Sequence, residues 1–351
     1  MDFNVLRVLP RWPRFLGSPL ATGELRTHPE DFRVDELAQV SPSGEGDHLW
    51  VQVTKRGANT DWIAGQLALA AGCAARDVGY AGLKDRYAVT TQWFSIPLAA
   101  TAESSWHAWK IPEATIIQAV RHQRKLKRGV LTGNRFRIVV RNIQGDADEL
   151  SQRLEQVRLR GLPNYFGPQR FGHAGDNAWK GARWLVEGGK LPRAKRSIYL
   201  SAVRSFLFNQ VLAQRVHQGN WEQLLEGDVV MLDGTHSVFL CDASDPQQVQ
   251  RCREFDLHPT GPLPGNGGFS PLGVAAQLEA SVLEPHRDLI EALCRAQVDA
   301  DRRSLRLRVD SMLWQFHGRE LHLDFALPPG SYATTVMDEL VSTTDGTHAR
   351  N

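Results

Sequence analysis

Cysteine is scarce in this chain: four residues in 351, at Cys73, Cys241, Cys252 and Cys294. No two form a Cys-x-x-Cys pair and none has a histidine at zinc-finger spacing, which argues against a zinc module, and reduced, mostly buried thiols are expected. Charge of one sign is lacking too. With 41 Lys and Arg against 39 Asp and Glu, the net charge is +2, so a nucleic-acid surface would have to be a local patch. No apolar run approaches a membrane span. Asp2, Arg7, Arg11 and Arg14 interrupt the apolar residues at the N-terminus, leaving no signal-peptide core, so a cytoplasmic protein without membrane contact is expected. Internal repeats and low-complexity segments are missing as well. What is present, 42% hydrophobic and 23% charged residues, is the composition of a folded protein, long enough for one large or two smaller domains.

Residues up to about 28 show no firm element. Phe32 and Val34 alternate with Arg33 and Asp35, predicting a half-buried strand; Leu49, Val51 and Val53 predict a second, paired with the first as a hairpin across a polar turn at 41–47. Asn59, Thr60 and Asp61 offer N-caps to a helix that stops near Gly72. A strand at 116–120 runs into Arg121, Arg124, Lys125, Lys127 and Arg128, five cations in eight residues. Such a run is either a solvated face or a phosphate-binding one, since RNA relieves its self-repulsion and releases counterions. A strand at 135–140 follows.

From Asp146 the pattern turns helical, with helices through Leu150, Leu154 and Val157, over 177–187, over about 201–217 and around Leu289 to Val298. Short strands flank the Asp233-Gly234 turn, and the Pro- and Gly-rich stretch 258–273 reads as a loop or linker. From Ser304 strands return: Leu305, Leu307 and Val309 alternate with arginines, and Leu321, Leu323 and Phe325 follow a turn at His317-Gly318-Arg319. A last helix through Val336, Met337 and Leu340 precedes a loose tail after Ser342.

The densest chemistry is Gly82-Leu83-Lys84-Asp85-Arg86-Tyr87-Ala88-Val89-Thr90-Thr91-Gln92, a polar stretch between apolar runs at Val78 and Tyr80 and at Trp93, Phe94 and Ile96. This places Asp85 on or beside a loop. Flanking cations favour a charged carboxylate, the form a nucleophile or base needs. On local chemistry alone an exposed turn with a surface ion pair is the more common explanation of such a charge triplet.

The segment Gly82 to Arg86 with Thr90 and Gln92 resembles the signature of the TruD family of tRNA pseudouridine synthases. Three further segments match that family in order: Pro29-Glu30-Asp31-Phe32, Gly133-Asn134-Arg135-Phe136, and Asn164-Tyr165-Phe166-Gly167-Pro168-Gln169-Arg170-Phe171-Gly172. The resemblance implies an α+β fold. A pseudouridine-synthase catalytic domain on a mainly antiparallel mixed sheet, residues 1–150 and 304–351, is interrupted by a helix-rich α/β insertion domain, residues 151–303. It implies Asp85 as catalytic residue, Phe136 as the ring that stacks the target base, Asn134 beside it, and Phe32 as a site wall. Arg26, where the family has a lysine, is the implied cation for Asp85, with Lys84 as alternative. Arg121, Arg124, Lys125, Lys127, Arg128 and Arg170 are expected to hold phosphates. The implied reaction isomerises uridine to pseudouridine, at uridine 13 of certain tRNAs, without metal or organic cofactor, by a monomer with tRNA as its partner and no obligate protein partner. The alternatives are a non-catalytic RNA-binding protein or tRNA chaperone on the same fold, and a hydrolase with a second acid among Glu30, Asp31 and Glu36.

Overall fold

The computed structural model describes residues 6–7, 9–38, 41–98, 103–127, 130–172 and 175–346. The chain divides into two compact units, one built from Pro19–Arg158 with the residues from Val309 onward, the other from Leu159–Arg308 with the described residues up to Ser18. The first unit begins with strands β1 (Ala21–Leu25), β2 (Phe32–Ala38) and β3 (His48–Arg56), helix α1 (Thr60–Ala71), strands β4 (Gly79–Tyr80), β5 (Val89–Pro97), β6 (Ala114–His122) and β7 (Leu131–Gln144), and helix α2 (Ala147–Arg160). In the second unit come β8 (Leu162–Pro163), α3 (Asn177–Glu187), α4 (Arg193–His217), β9 (Val229–Leu232), β10 (Val238–Leu240), α5 (Pro246–Arg253), β11 (Leu257–Leu263), α6 (Gly273–Leu283), α7 (Arg287–Arg295), β12 (Asp301–Ser304) and β13 (Arg306–Leu307). The chain then returns with β14 (Asp310–His317), β15 (Glu320–Leu327), α8 (Ala333–Leu340) and β16 (Val341–Asp345).

The first unit is built on a mixed sheet of ten strands among the described residues, with the path β14-β15-β7-β2-β5-β3-β6. β2 with β5, and β1 with β16, are parallel; the other described pairings are antiparallel. One face of β3 presents Leu49, Val51, Val53 and Lys55, opposite Ile96, Phe94, Gln92 and Thr90 of β5. Ile63, Ala64, Leu67, Ala68 and Ala71 of α1 pack on the apolar part of that face. Burying Ile63 and Leu67 contributes roughly 1.5–3 kcal/mol each, and each alanine methyl about 0.8 kcal/mol. Gly72 ends α1 at φ 70°, donating its N–H to the carbonyls of Ala68 and Leu69, the left-handed cap that glycine adopts without a Cβ clash. At the other end of α1 the strand faces turn polar, and that end is where the Asp85 loop is anchored.

The second unit has its own core, in which Phe206, Leu207 and Val211 of α4 pack with Phe171, Ala182, Leu289 and Leu293. A small sheet runs β10-β9-β11-β12.

Several expectations need correction. β2 and β3 are not a hairpin, because β5 lies between them and pairs the whole of β3; a polar turn does not reveal that a later strand inserts. The stretch 258–273 is not all loop, since β11 occupies Leu257–Leu263 with Pro259 opposite Val230 and Pro262 opposite Arg302. The Pro259 carbonyl still accepts from Leu305 N at 2.8 Å, so these prolines cost donors but not acceptors. Helix α4 starts at Arg193, two turns before the expected start, because its opening residues are exposed and carry no apolar stripe to detect. The alternation at 305–309 marks no single face: Leu305, Arg306 and Leu307 are all buried. Ala21–Leu25, where no firm element is expected, forms β1, and the chain after Ser342, expected as a loose tail, continues its parallel partner β16 to Asp345. All four cysteines are free, with Cys241 and Cys252 buried. No helix among the described residues is long and apolar enough to cross a membrane.

Candidate active site

Asp85 lies in the connection between β4 and β5, and that connection is fixed from beneath by three buried polar side chains. Thr60 at the start of α1 donates its hydroxyl to Gln92 Oε1 (2.9 Å) and accepts the backbone N–H of Lys84 (2.9 Å). Gln92 Nε2 donates to the Gly82 carbonyl at 3.3 Å. Lys55, 1% exposed, donates to the carbonyls of Ala58 (2.7 Å) and of Asp85 itself (2.8 Å). Burial lowers the Lys55 ammonium to about 8, with Asp85 opposing and Lys84 reinforcing that shift.

The Asp85 carboxylate is shared between two donors. Its Oδ2 accepts from Arg26 Nη2 at 2.8 Å, and its Oδ1 from the Tyr87 N–H at 3.0 Å. The Asp85 side chain is 35% exposed and that of Arg26 15%. Asp85 thus has solvent on one side and a shielded cation on the other. Arg26 follows β1 in a left-handed conformation, φ 56°, which costs a non-glycine residue about 1 kcal/mol or more. Its guanidinium lies 4.4 Å from the centre of the Phe32 ring. Phe32 meets Phe136 edge-on at 6.3 Å, and Phe136 stacks on Phe325 at 5.5 Å. Carboxylate, guanidinium and aromatic cluster therefore form one continuous set of contacts.

Phe136 and Asn134 stand two apart on β7 and so share a face; their β2 partners are Val34 and Glu36. Phe136 is only 6% exposed, so its ring is fixed by its neighbours. The Asn134 Oδ1 is buried without a partner among the described residues, as is Thr90 Oγ1 on β5 opposite Val34. Unsatisfied buried polar atoms are costly, so these two stand out on the face that carries Phe136.

Lys84 is not the counter-ion of Asp85. Its ammonium, 7% exposed, binds Glu36 Oε1 at 2.6 Å, and Glu36 Oε2 accepts the Trp93 N–H at 3.0 Å. Successive residues of an extended chain point apart, and here the pair is split: Asp85 outward, Lys84 into the core. Burial raises the Glu36 carboxyl, and Lys84 offsets that. The other candidate second acids are also committed. Asp31, 2% exposed, is gripped by Arg141 through both oxygens (2.8 and 2.9 Å) and Glu30 pairs with Arg56 at 2.6 Å.

The basic run leaves β6 and folds against Trp50, whose indole N–H donates to the Arg124 carbonyl at 2.8 Å. Arg124, Lys125 and Lys127 line a cavity of about 680 Å3 with Trp50, His122, Gln123 and Val130. Arg124 and Lys127 are exposed, whereas Lys125 donates to the Arg76 carbonyl at 2.8 Å and Arg121 to the Gly46 carbonyl at 3.0 Å. Arg128 lies outside the described residues. In the second unit, Arg170 is exposed, its guanidinium 5.1 Å from the Phe166 ring centre and 3.1 Å from Ser201 Oγ. Lys55 and Thr60 were missed in the sequence. The only signal there was a polar residue at an inward position of an alternating strand, for Lys55, and an N-cap, for Thr60.

Comparison with known proteins defines first a class. A crystal structure of a Methanosarcina mazei protein, described as a candidate tRNA pseudouridine synthase D, shares the fold at a TM-score of 0.76 and 22% identity, each chain covered to 97%. A mixed α/β fold with a mostly antiparallel sheet is thus the class to which the chain belongs. The sequence model of the family described as tRNA pseudouridine synthase D (TruD) matches residues 15–189 and 188–340. Curated proteins of that name from Nitrosococcus oceani and Methylococcus capsulatus are 47% and 45% identical, covering 93% and 94% of this chain and 92% and 94% of their own. The chain belongs to the TruD family, and is an isomerase of the pseudouridine-synthase type.

Proposed function

We propose that this chain isomerises uridine to pseudouridine at position 13 of certain tRNAs, with Asp85 as its catalytic residue. Isomerisation breaks the bond from ribose C1′ to N1, turns the trapped uracil and joins C1′ to C5, releasing the C5 proton. Asp85 Oδ2, held by Arg26, is the group that acts at the sugar as nucleophile or base while positive charge develops at C1′. A paired uridine cannot reach it, so the base is extruded. Phe136, fixed by Phe32 and Phe325, stacks the base, and Asn134 beside it shapes the pocket. Arg124 and Lys127, with Lys125, hold phosphates, and Arg170 does so on the second unit. Position 13 rests on the family resemblance alone.

The observation that carries the reading is the solvent-reached Asp85 carboxylate, tethered by Arg26 and the Tyr87 N–H on a loop anchored by Lys55 and Thr60. Asp85→Asn is expected to abolish pseudouridine formation in a cognate tRNA and to leave tRNA affinity within a few-fold. Retained turnover would discard Asp85; absence of any turnover in the wild type with intact tRNA binding would favour a non-catalytic RNA-binding protein. Mapping pseudouridine in tRNA from cells with and without the protein tests the position.

A further inference from the structure

Arg170 lies at a cationic groove of the second unit whose other arginines have no part in the proposed function. The groove has a volume of about 520 Å3 and is lined by Arg170, Arg193, Arg196 and Arg204, by Ser197, Ser201 and Ser205, and by an apolar floor that includes Phe166 and Leu263. Five of these, Arg193, Arg196, Ser197, Ser201 and Arg204, recur at helical spacing along one side of α4, over about 16 Å of its axis.

What sets these arginines apart is that four of them gather around one groove without a carboxylate among them. Several other guanidinium groups of this unit are matched, Arg215 with Asp228 at 3.0 Å, Arg302 with Glu279 and Arg160 with Glu222, and the buried Arg306 stands alone on the carbonyls of Cys252 and Leu257. None of the four groove arginines has a carboxylate at ion-pair distance among the described residues, and no acid lines the groove. Asp299 and Asp301 support the Arg204 charge from a distance only. Arg204 and Arg196 are positioned by backbone carbonyls, those of Leu263 and Asp299 (2.9 Å each) and of Ala296 (3.0 Å). Backbone carbonyls aim a guanidinium without neutralising it. The Arg204 Nε remains buried without a partner. Arg193 is exposed and donates to no group among the described residues. The first turn of α4 adds its free N–H groups and the positive end of its dipole.

Four guanidinium groups around one groove, none with a carboxylate at ion-pair distance among the described residues, repel one another, and a polyanion removes that repulsion while shedding its own counterions. The length of the stripe exceeds the spacing of one phosphate, and the serine hydroxyls provide further neutral donors. The ring of Phe166 is already faced by Arg170 and by Arg303 at 4.1 Å, which leaves it unavailable for base stacking. From this we infer that the α4 groove binds successive phosphates of an RNA backbone, without reading bases; the inference rests on the reading that this chain acts on RNA.

The test uses the full chain, an in vitro transcribed tRNA, and the variants Arg193→Glu and Arg193→Glu/Ser197→Glu. Arg193 is the first residue of α4, where an acidic side chain favours the helix; the i,i+4 glutamates of the double variant cost a few tenths of a kcal/mol at most, and far-ultraviolet circular dichroism checks that α4 stays folded in both. The expected result is affinity about ten-fold lower for the single variant, a plot of log affinity against log salt that is shallower by about one per lost contact, and unchanged turnover once tRNA saturates. Affinity and slope equal to wild type, with wild-type turnover present, would overturn the groove and leave the proposed activity standing. Loss of affinity in the variants together with no turnover in the wild type would do the reverse.

Discussion

Replacing Lys55 by methionine is the perturbation from which most is learned. Lys55 carries an ammonium into a position 1% exposed, where it holds the carbonyls of Ala58 and Asp85. Its proton is released near 8 instead of the ordinary 10.5. Between those two values the unfolded chain holds a proton that the folded chain has lost, so stability rises with pH across that window, by on the order of 3 kcal/mol in total. Below 8 both states are charged and the folded state bears the full cost of burying the ammonium. Catalysis runs the other way. A charged donor contributes roughly 1.5–3 kcal/mol per hydrogen bond and a neutral one about 0.5–1.5, so deprotonation loosens the loop that presents Asp85. Turnover in the wild type is therefore expected to fall with an apparent pKa near 8 while resistance to urea increases. Lys55→Met should turn over roughly 10- to 100-fold more slowly below pH 8, as misplacement of a reacting group does, and should show neither the fall nor the rise. The assay is single-turnover release of tritium from tRNA labelled at uridine C5, with urea unfolding from pH 7 to 10. Superimposable wild-type and Lys55→Met profiles in both measurements would refute the reasoning.

Arg26→Gly separates charge from backbone. It relieves the left-handed strain at φ 56°, so stability should stay within about 1 kcal/mol, but turnover should drop about 100-fold; a variant as active as wild type would remove Arg26 from the site. Lys84→Met leaves Glu36, 8% exposed, without its cation, and unfolding free energy should fall by about 3–5 kcal/mol; an undiminished midpoint in denaturant would contradict the buried pairing. Gly79→Ala would bring a Cβ within 2.5 Å of the Leu126 carbonyl, displacing the basic segment, and tRNA affinity should weaken with a loss of about 1–3 kcal/mol in stability; unaltered affinity would detach that segment from RNA binding.

Much of the architecture could be read from local pattern because local physics governs it. The alternation at Phe32 and Val34, the periodicity of α2 and α3, the stop at Gly72 and the turn at Gly318 need only neighbours a few residues away. The matched segments around Asp85 and Asn134 likewise pointed to the family from residue order alone. Partnership over long separations was not legible. That β5 would part β2 from β3, that β16 would close on β1, and that a proline-bearing segment would be a strand in a sheet all depend on which edge is free when distant strands meet. The same holds within the site. Sequence offered Arg26 and Lys84 as cations for one aspartate; the direction in which adjacent side chains leave the backbone sends Lys84 to Glu36 and leaves Arg26 with Asp85. The importance of Lys55 arises only when β3, the start of α1 and the Asp85 loop converge on one ammonium, because a buried charge gains its meaning from the groups that surround it in space.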